Sequence, residues 1–335
     1  MVRHLHRAWS WALDEASFGA INLLHLRHAA DAAGLAAYVQ QWEGTTFADY
    51  YRPDPAAEAQ ALAELASVIP PSDRSSQVRF STPLPGSVVA NNQAVFDLYP
   101  SSRGWTAPTL LVAHGLMSVS DIGYRRWAAT LNRRGWNVVF VHLPYHYARR
   151  PAGSFSGELS VTADLVRTVE GVRQSVMEMR ILLKWLERLG GSRFAAWGTS
   201  YGAWISALLG CVEERVGRLI LVEPILDIDT SIWHSPACAA MRGALRRQGI
   251  DDAHTEPHLR LCCPLQAPLR LDPRQALLLA GTYDRIAAPA TIRALHEKWV
   301  GSHYYEFPQG HVGYRLLPES DRLAMELWPD DFVLI

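Results

Sequence analysis

Six short, almost wholly apolar runs recur along this chain, and helical stretches separate most of them. They fall at 109–113, 137–141, 193–197, 218–222, 276–280 and 304–307. A bounded apolar run of this length suits a strand buried on both faces. Strands that alternate with helices make a mostly parallel sheet with helices on its flanks. The longest helical pattern, 161–189, carries Leu165, Val169, Val172, Val176, Met179, Leu183 and Leu186 at helical spacing. Upstream, 77–81 and 94–99 alternate as antiparallel strands do. The sequence predicts an α/β fold with a mostly parallel central sheet flanked by helices. A chain of 335 residues, 49% hydrophobic and 19% charged, can bury the core such a sheet requires.

One turn between strand and helix carries chemistry. Gly198-Thr199-Ser200-Tyr201-Gly202 reads G-x-S-x-G, with the apolar run to Trp197 before it and a helical pattern from Ala203 after it. A turn this sharp forces the serine backbone into a strained conformation and lifts its hydroxyl above the sheet edge. The two glycines let strand and helix pack where a side chain would clash. The same stretch explains 19 uncharged residues, 194–212, as a buried strand plus a buried helix rather than a membrane span.

A serine hydroxyl is a poor nucleophile at neutral pH and needs a base, which in turn needs a group to orient it. His311 is the expected base. It follows the last apolar run, in Gly310-His311-Val312-Gly313, whereas His296 sits in a helical pattern and His303 precedes the strand. Asp284 is the expected acid, just past the run at 276–280, ahead of Asp227, Asp229 and Glu223, which follow the run at 218–222. A developing oxyanion needs backbone donors. The Tyr201 amide, at a helix N-terminus, and the Leu116 amide, in His114-Gly115-Leu116-Met117, are the expected pair.

These motifs, in this order, resemble the α/β-hydrolase superfamily across about residues 77–320. The resemblance implies the α/β-hydrolase fold, Ser200 as nucleophile, Asp284 and His311 as its partners, and Leu116 and Tyr201 as the oxyanion hole. H-G-L-M departs from the H-G-G-G of one lipase and esterase branch. Tyr145-His146-Tyr147-Ala148-Arg149-Arg150-Pro151 is similar to a segment of the group typified by α/β-hydrolase-domain-containing protein eighteen, which implies at most a lipid-like acyl ester. On the residues alone, Tyr145, His146 and Arg149 either line a pocket or pack under a cap. The reading is a serine hydrolase acting on a carboxylic ester. Peptidase, thioesterase and acyltransferase activities share the same groups, and a non-catalytic ligand-binding role is the other class.

Two regions lie outside that pattern. Residues 1–73 are expected to form an N-terminal helical extension, with Leu13, Ala16, Ala20, Leu23 and Leu24 as its apolar positions, ended by Pro70-Pro71-Ser72-Asp73. Its aromatics (Trp9, Trp11, Phe18, Trp42, Phe47, Tyr50, Tyr51) suit a layer packed on the main domain better than a membrane arm. Residues 74–335 form the hydrolase domain, with a cap insertion at about 228–272. Trp233, Met241, Leu245, Leu259, Leu261, Cys262 and Leu265 of that insertion are expected to supply an apolar pocket. His114, Met117, Tyr145 and Trp233 are the expected substrate contacts.

A net charge of −1, with no basic run interleaved with aromatics, does not favour a nucleic-acid partner. Peripheral membrane contact is not expected, and the N-terminus does not read as a secretory signal. Cys211, Cys238, Cys262 and Cys263 show no C-x-x-C or zinc spacing. They read as free thiols of a cytoplasmic protein. No metal or organic cofactor is expected.

Overall fold

The computed structural model describes residues 2–313 and 315–329. The outermost ends of the two expected units, Met1 and 330–335, lie outside the described residues. Among the described residues, eight strands form one sheet: β1 (Ser76–Ser81), β2 (Gln93–Tyr99), β3 (Thr109–Ala113), β4 (Asn137–His142), β5 (Phe194–Thr199), β6 (Val216–Val222), β7 (Ala276–Gly281) and β8 (His303–Phe307). Their order is β1-β2-β4-β3-β5-β6-β7-β8. β1 and β2 join antiparallel, and β2 pairs antiparallel with β4. Every later pairing is parallel.

The apolar runs follow from two cores, one on each face of the sheet. Leu111, Val139, Ala196, Leu219, Leu221 and Leu278 face one core. Their neighbours in sequence, Leu110, Val138, Trp197, Ile220 and Leu277, face the other. With both faces covered, neither set of alternate positions tolerates a charge.

Among the described residues, twelve α-helices surround this sheet. The N-terminal region gives α1 (Val2–His25), α2 (Ala32–Gln41), α3 (Phe47–Tyr50) and α4 (Pro55–Ala66). α5 (Ile122–Arg133) follows β3, and α6 (Leu165–Arg188) precedes β5. α6 begins four residues later than the periodicity predicts, because the Asp164 carboxylate accepts the Arg167 amide and fixes the N-terminus there. α7 (Tyr201–Val212) leaves the serine turn. The predicted insertion between β6 and β7 holds α8 (Ile228–His234), α9 (Ala239–Arg247) and α10 (Asp252–Leu259). α11 (Pro289–Lys298) and α12 (Leu316–Leu327) complete the set. Among the described residues, no helix is long and apolar enough to cross a membrane.

The N-terminal region shares the main core rather than standing apart. Tyr50, Tyr51, Ala61 and Leu65 are buried in the same cluster as α6 and α7. Tyr51 also donates to the Leu261 carbonyl of the insertion. Within α1 the expected apolar face is wrong. Leu23 is 66% exposed, and Ala16 and Ala20 are exposed too, whereas Ser10, Asp14, Phe18 and His25 are buried. The helix packs mainly on the insertion, where Asn22 donates to the Pro236 carbonyl, and its inward polar positions meet backbone groups, His25 the Val161 carbonyl and Asp14 the Val312 amide.

The expected pocket residues of the insertion meet a similar correction. Met241, Leu245, Leu259, Leu261 and Cys262 are buried in the main core, and Leu265 and Trp233 pack against it. Short amphipathic helices have one apolar face each, and here that face closes the core.

Candidate active site

Ser200 sits where β5 turns into α7, with φ 53° and ψ −115°. A non-glycine residue in that region is strained, and the surrounding geometry holds it there. Gly198 and Gly202 are what make the turn closable. A Cβ on Gly198 would fall 2.4 Å from the Gly202 carbonyl oxygen, and one on Gly202 would fall 2.2 Å from that of Ala113. The Ser200 amide donates to Val222 at 2.8 Å, which ties the turn to the end of β6.

His311 and Asp284 arrive from the loops after β8 and β7. Ser200 Oγ lies 2.8 Å from His311 Nε2, and His311 Nδ1 lies 2.8 Å from Asp284 Oδ2. A proton on Nδ1 donated to the carboxylate leaves Nε2 free to accept the serine proton. Asp284 is fixed by its other oxygen, which accepts the Ile286 and Ala287 amides at 2.7 and 2.8 Å. Burial disfavours a charged imidazole at His311, but the charge and hydrogen bond of Asp284, with Glu223 and Asp14 beyond, outweigh it and raise its pKa to about 9.

The rival residues have other work. Asp227 caps α8 by accepting the Thr230 amide, and Asp229 accepts the Thr255 hydroxyl. His296 bonds Ser302, and His303 bonds the Arg274 carbonyl. Glu223 is the exception. It ends β6 in a left-handed conformation, φ 50°, and is buried. Its carboxylate accepts from Gln309 at 3.1 Å, and one ligand atom from each of Glu223, Asp284 and His311 lies within 4.8 Å of the others. Burial pushes the Glu223 carboxyl up to about 8, with Asp284 and Asp14 adding to the shift and His311 opposing it. Such a cluster could offer ligands to a cation, but both His311 nitrogens already bond Asp284 and Ser200.

The loop after β3 lies against the serine. A Cβ on Gly115 would stand 3.8 Å from Ser200 Cβ. Leu116 and Met117 follow, half-buried, with Met117 at φ 59°. Tyr201 is the first residue of α7, so its amide has no partner within the helix.

Three of the expected substrate contacts are displaced. His114 is fully buried; its Nδ1 meets the Gly115 carbonyl and its Nε2 accepts the Leu143 amide, so it organises the loop. Tyr145 is buried and lines a cavity of about 250 Å³ with Asn91, Arg167 and Gln174. Trp233 donates to Thr255 and lies under Arg246, both inside the insertion. Sequence reasoning passed over Asp14, whose carboxylate accepts the Val312 amide at 3.3 Å. The available signal was the spacing Ser10, Asp14, Phe18, one helical stripe with a charge in its middle.

This fold and this placement of the serine turn define an α/β-hydrolase. Acetyl xylan esterase 1 from Thermoanaerobacterium sp. JW/SL YS485 superposes with a TM-score of 0.56 at 17% identity, over 83% of this chain and 93% of that one. The acetyl xylan esterase from Paenibacillus sp. R4 gives 0.53 at 15%, over 87% and 98%. Puromycin hydrolase gives 0.53 at 17%, over 76% of this chain and 38% of its own. The protein belongs to the "Alpha/beta hydrolase domain containing 18" family, whose model matches residues 46–247. An uncharacterized protein of Mycobacterium tuberculosis is 27% identical over 245 residues, 70% of this chain. The chain spans 58% of that relative's length. The family match includes Ser200 and the loop at 114–117 but ends before Asp284 and His311.

Proposed function

We propose that this protein is a serine hydrolase that cleaves an acyl bond, a carboxylic ester first among them. The observation that carries the reading is the unbroken chain from Ser200 through His311 to Asp284, hung on a strained serine backbone. Ser200 Oγ attacks the acyl carbonyl carbon while His311 Nε2 takes its proton. Asp284 holds the imidazole in the needed tautomer and stabilises its charged form. The amides of Leu116 and Tyr201 receive the oxyanion. Collapse expels the alcohol, which takes the proton from His311 and leaves an acyl-serine. Water, deprotonated by His311, then attacks that ester and frees the acid and Ser200. Met117, next to the Leu116 donor, faces the acyl group. None of these steps draws on a cofactor. The four unpaired cysteines, three of them buried, support a cytoplasmic location.

A fluorophosphonate probe tests the reading, wild type beside Ser200→Ala. Labelling of wild type that vanishes in the variant is the expected result. Folded wild type that resists the probe, or a variant that still takes it, overturns the proposal. The insertion's apolar residues close the core, so acyl length is read from turnover of p-nitrophenyl esters of increasing chain length.

A further inference from the structure

The N-terminal helix places a buried carboxylate against the loop that carries His311. Asp14 is 0% exposed, and its Oδ1 accepts the Val312 amide, the residue directly after His311. A Cβ on Gly310, directly before His311, would lie 2.9 Å from both carboxylate oxygens. The helix wall thus fits the loop backbone only because residue 310 is glycine. Oδ2 has no hydrogen-bond partner. Next along α1, Glu15 pairs with Arg285, the residue directly after Asp284. The Arg285 guanidinium stands 5.0 Å above the Phe18 ring and 5.7 Å from that of Trp11. One helix therefore grips both loops, each at the residue beside the group it presents.

A buried carboxylate costs several kcal/mol unless hydrogen bonds or opposite charge offset it. One long amide bond, a weaker approach to the Arg285 backbone and an oxygen without a hydrogen-bond partner are a poor offset for a purely structural residue. We propose that Asp14 is a positioning residue of this active site, holding the His311 loop from the N-terminal helix and stabilising the imidazolium that forms during turnover. The proposal rests on the serine-hydrolase reading. The charged and titratable groups around His311 are then Asp284 from the loop after β7, Glu223 from the end of β6 and Asp14 from α1. Arg285 is turned to Glu15. Asp14, like Asp284 and His311, lies outside the segment matched by the family.

Two variants separate the parts of the role. Asp14→Asn keeps an oxygen for the Val312 amide and removes the charge. Asp14→Ala removes both. The readouts are kcat, KM and the pH profile of ester turnover, with the melting temperature alongside. Asp14→Ala is expected to lose about tenfold or more in kcat at unchanged KM, as misplacement of a reacting group does. Asp14→Asn is expected to recover most of that kcat. Its acid limb should move to lower pH, because removing a negative charge lowers the imidazole pKa. Should Asp14→Ala fail to fold, the acid limb of Asp14→Asn decides alone. Variants that keep wild-type kcat and wild-type acid limb, in a wild type that the probe labels, overturn the role of Asp14 and leave the hydrolase reading intact. A wild type that the probe does not label overturns both.

Discussion

The loop after β4 and the loops after β7 and β8 leave strands on opposite sides of β5 in the sheet, and both carry titratable side chains. They end in opposite conditions. After β4, Arg149 is fully buried, and its guanidinium meets Glu178 in two bonds of 2.6 and 2.8 Å, with the His142 and Asn91 carbonyls accepting as well. Its charge is closed off inside the core. His146, beside it, is buried and held neutral, its pKa lowered to about 4 mainly by desolvation. After β7 and β8, Asp284 and His311 also bond each other, but the chain of bonds ends on the half-buried hydroxyl of Ser200. A buried ion pair that closes on itself is structural. One that passes its last bond to a nucleophile is a candidate for chemistry.

That contrast has a sharp test. His311→Ala is expected to lose about a thousandfold or more in kcat, since members of such a unit act together. Its melting temperature should fall less than that of Glu178→Ala, because Asp284 keeps the Ile286 and Ala287 amides as donors when the imidazole is gone. Glu178→Ala should do the reverse. It strands a buried guanidinium, at a cost of about 3–5 kcal/mol. The fraction that remains folded should keep wild-type kcat. Thermal melts paired with ester turnover read both. A Glu178→Ala protein that stays stable but loses turnover would break the contrast, and would move the loop after β4 into the site.

The serine turn was legible because its constraints are local. The Gly198 contact with the Gly202 carbonyl lies inside the motif itself, and the Gly202 contact with the Ala113 carbonyl comes from the adjacent strand β3. The strands were legible because burial on both faces removes polar residues from every position. Asp284 and His311 were legible through their place after strands. Tyr145, Trp233 and His114 were not, since a loop's residue types do not say which partner captures each side chain. Glu178 captures Arg149 from 29 residues away, and Thr255 captures Trp233. Asp14 was hidden for a further reason. Its helix lies 298 residues before the amide it meets, and an apolar stripe is the ordinary guide to a helix's inner face.

The smallest expected effect concerns Glu223, the acid that stands beside the bonded pair without joining it. Its pKa in the folded protein is raised to about 8, against an ordinary 4.5. Below 4.5 the carboxyl is neutral in both folded and unfolded chains, and its contribution to stability is fully present. As pH rises from 4.5 toward 8, the unfolded glutamate ionises and the folded one resists, so stability falls. Above about 8 both states are ionised and the loss is complete. Glu223→Gln removes this dependence while keeping an acceptor beside Gln309. The wild-type melting temperature should therefore fall from pH 5 to pH 8 more steeply than that of the variant. His311, raised to about 9 in part by Glu223, adds a further loss that begins near 6.5, so the interval from pH 5 to 6.5 reads Glu223 most directly. Parallel melting curves across that range would mean that Glu223 is ionised in the folded protein at neutral pH. The buried carboxyl would then be a third fixed charge on His311, and Glu223 would belong with Asp284 rather than apart from it.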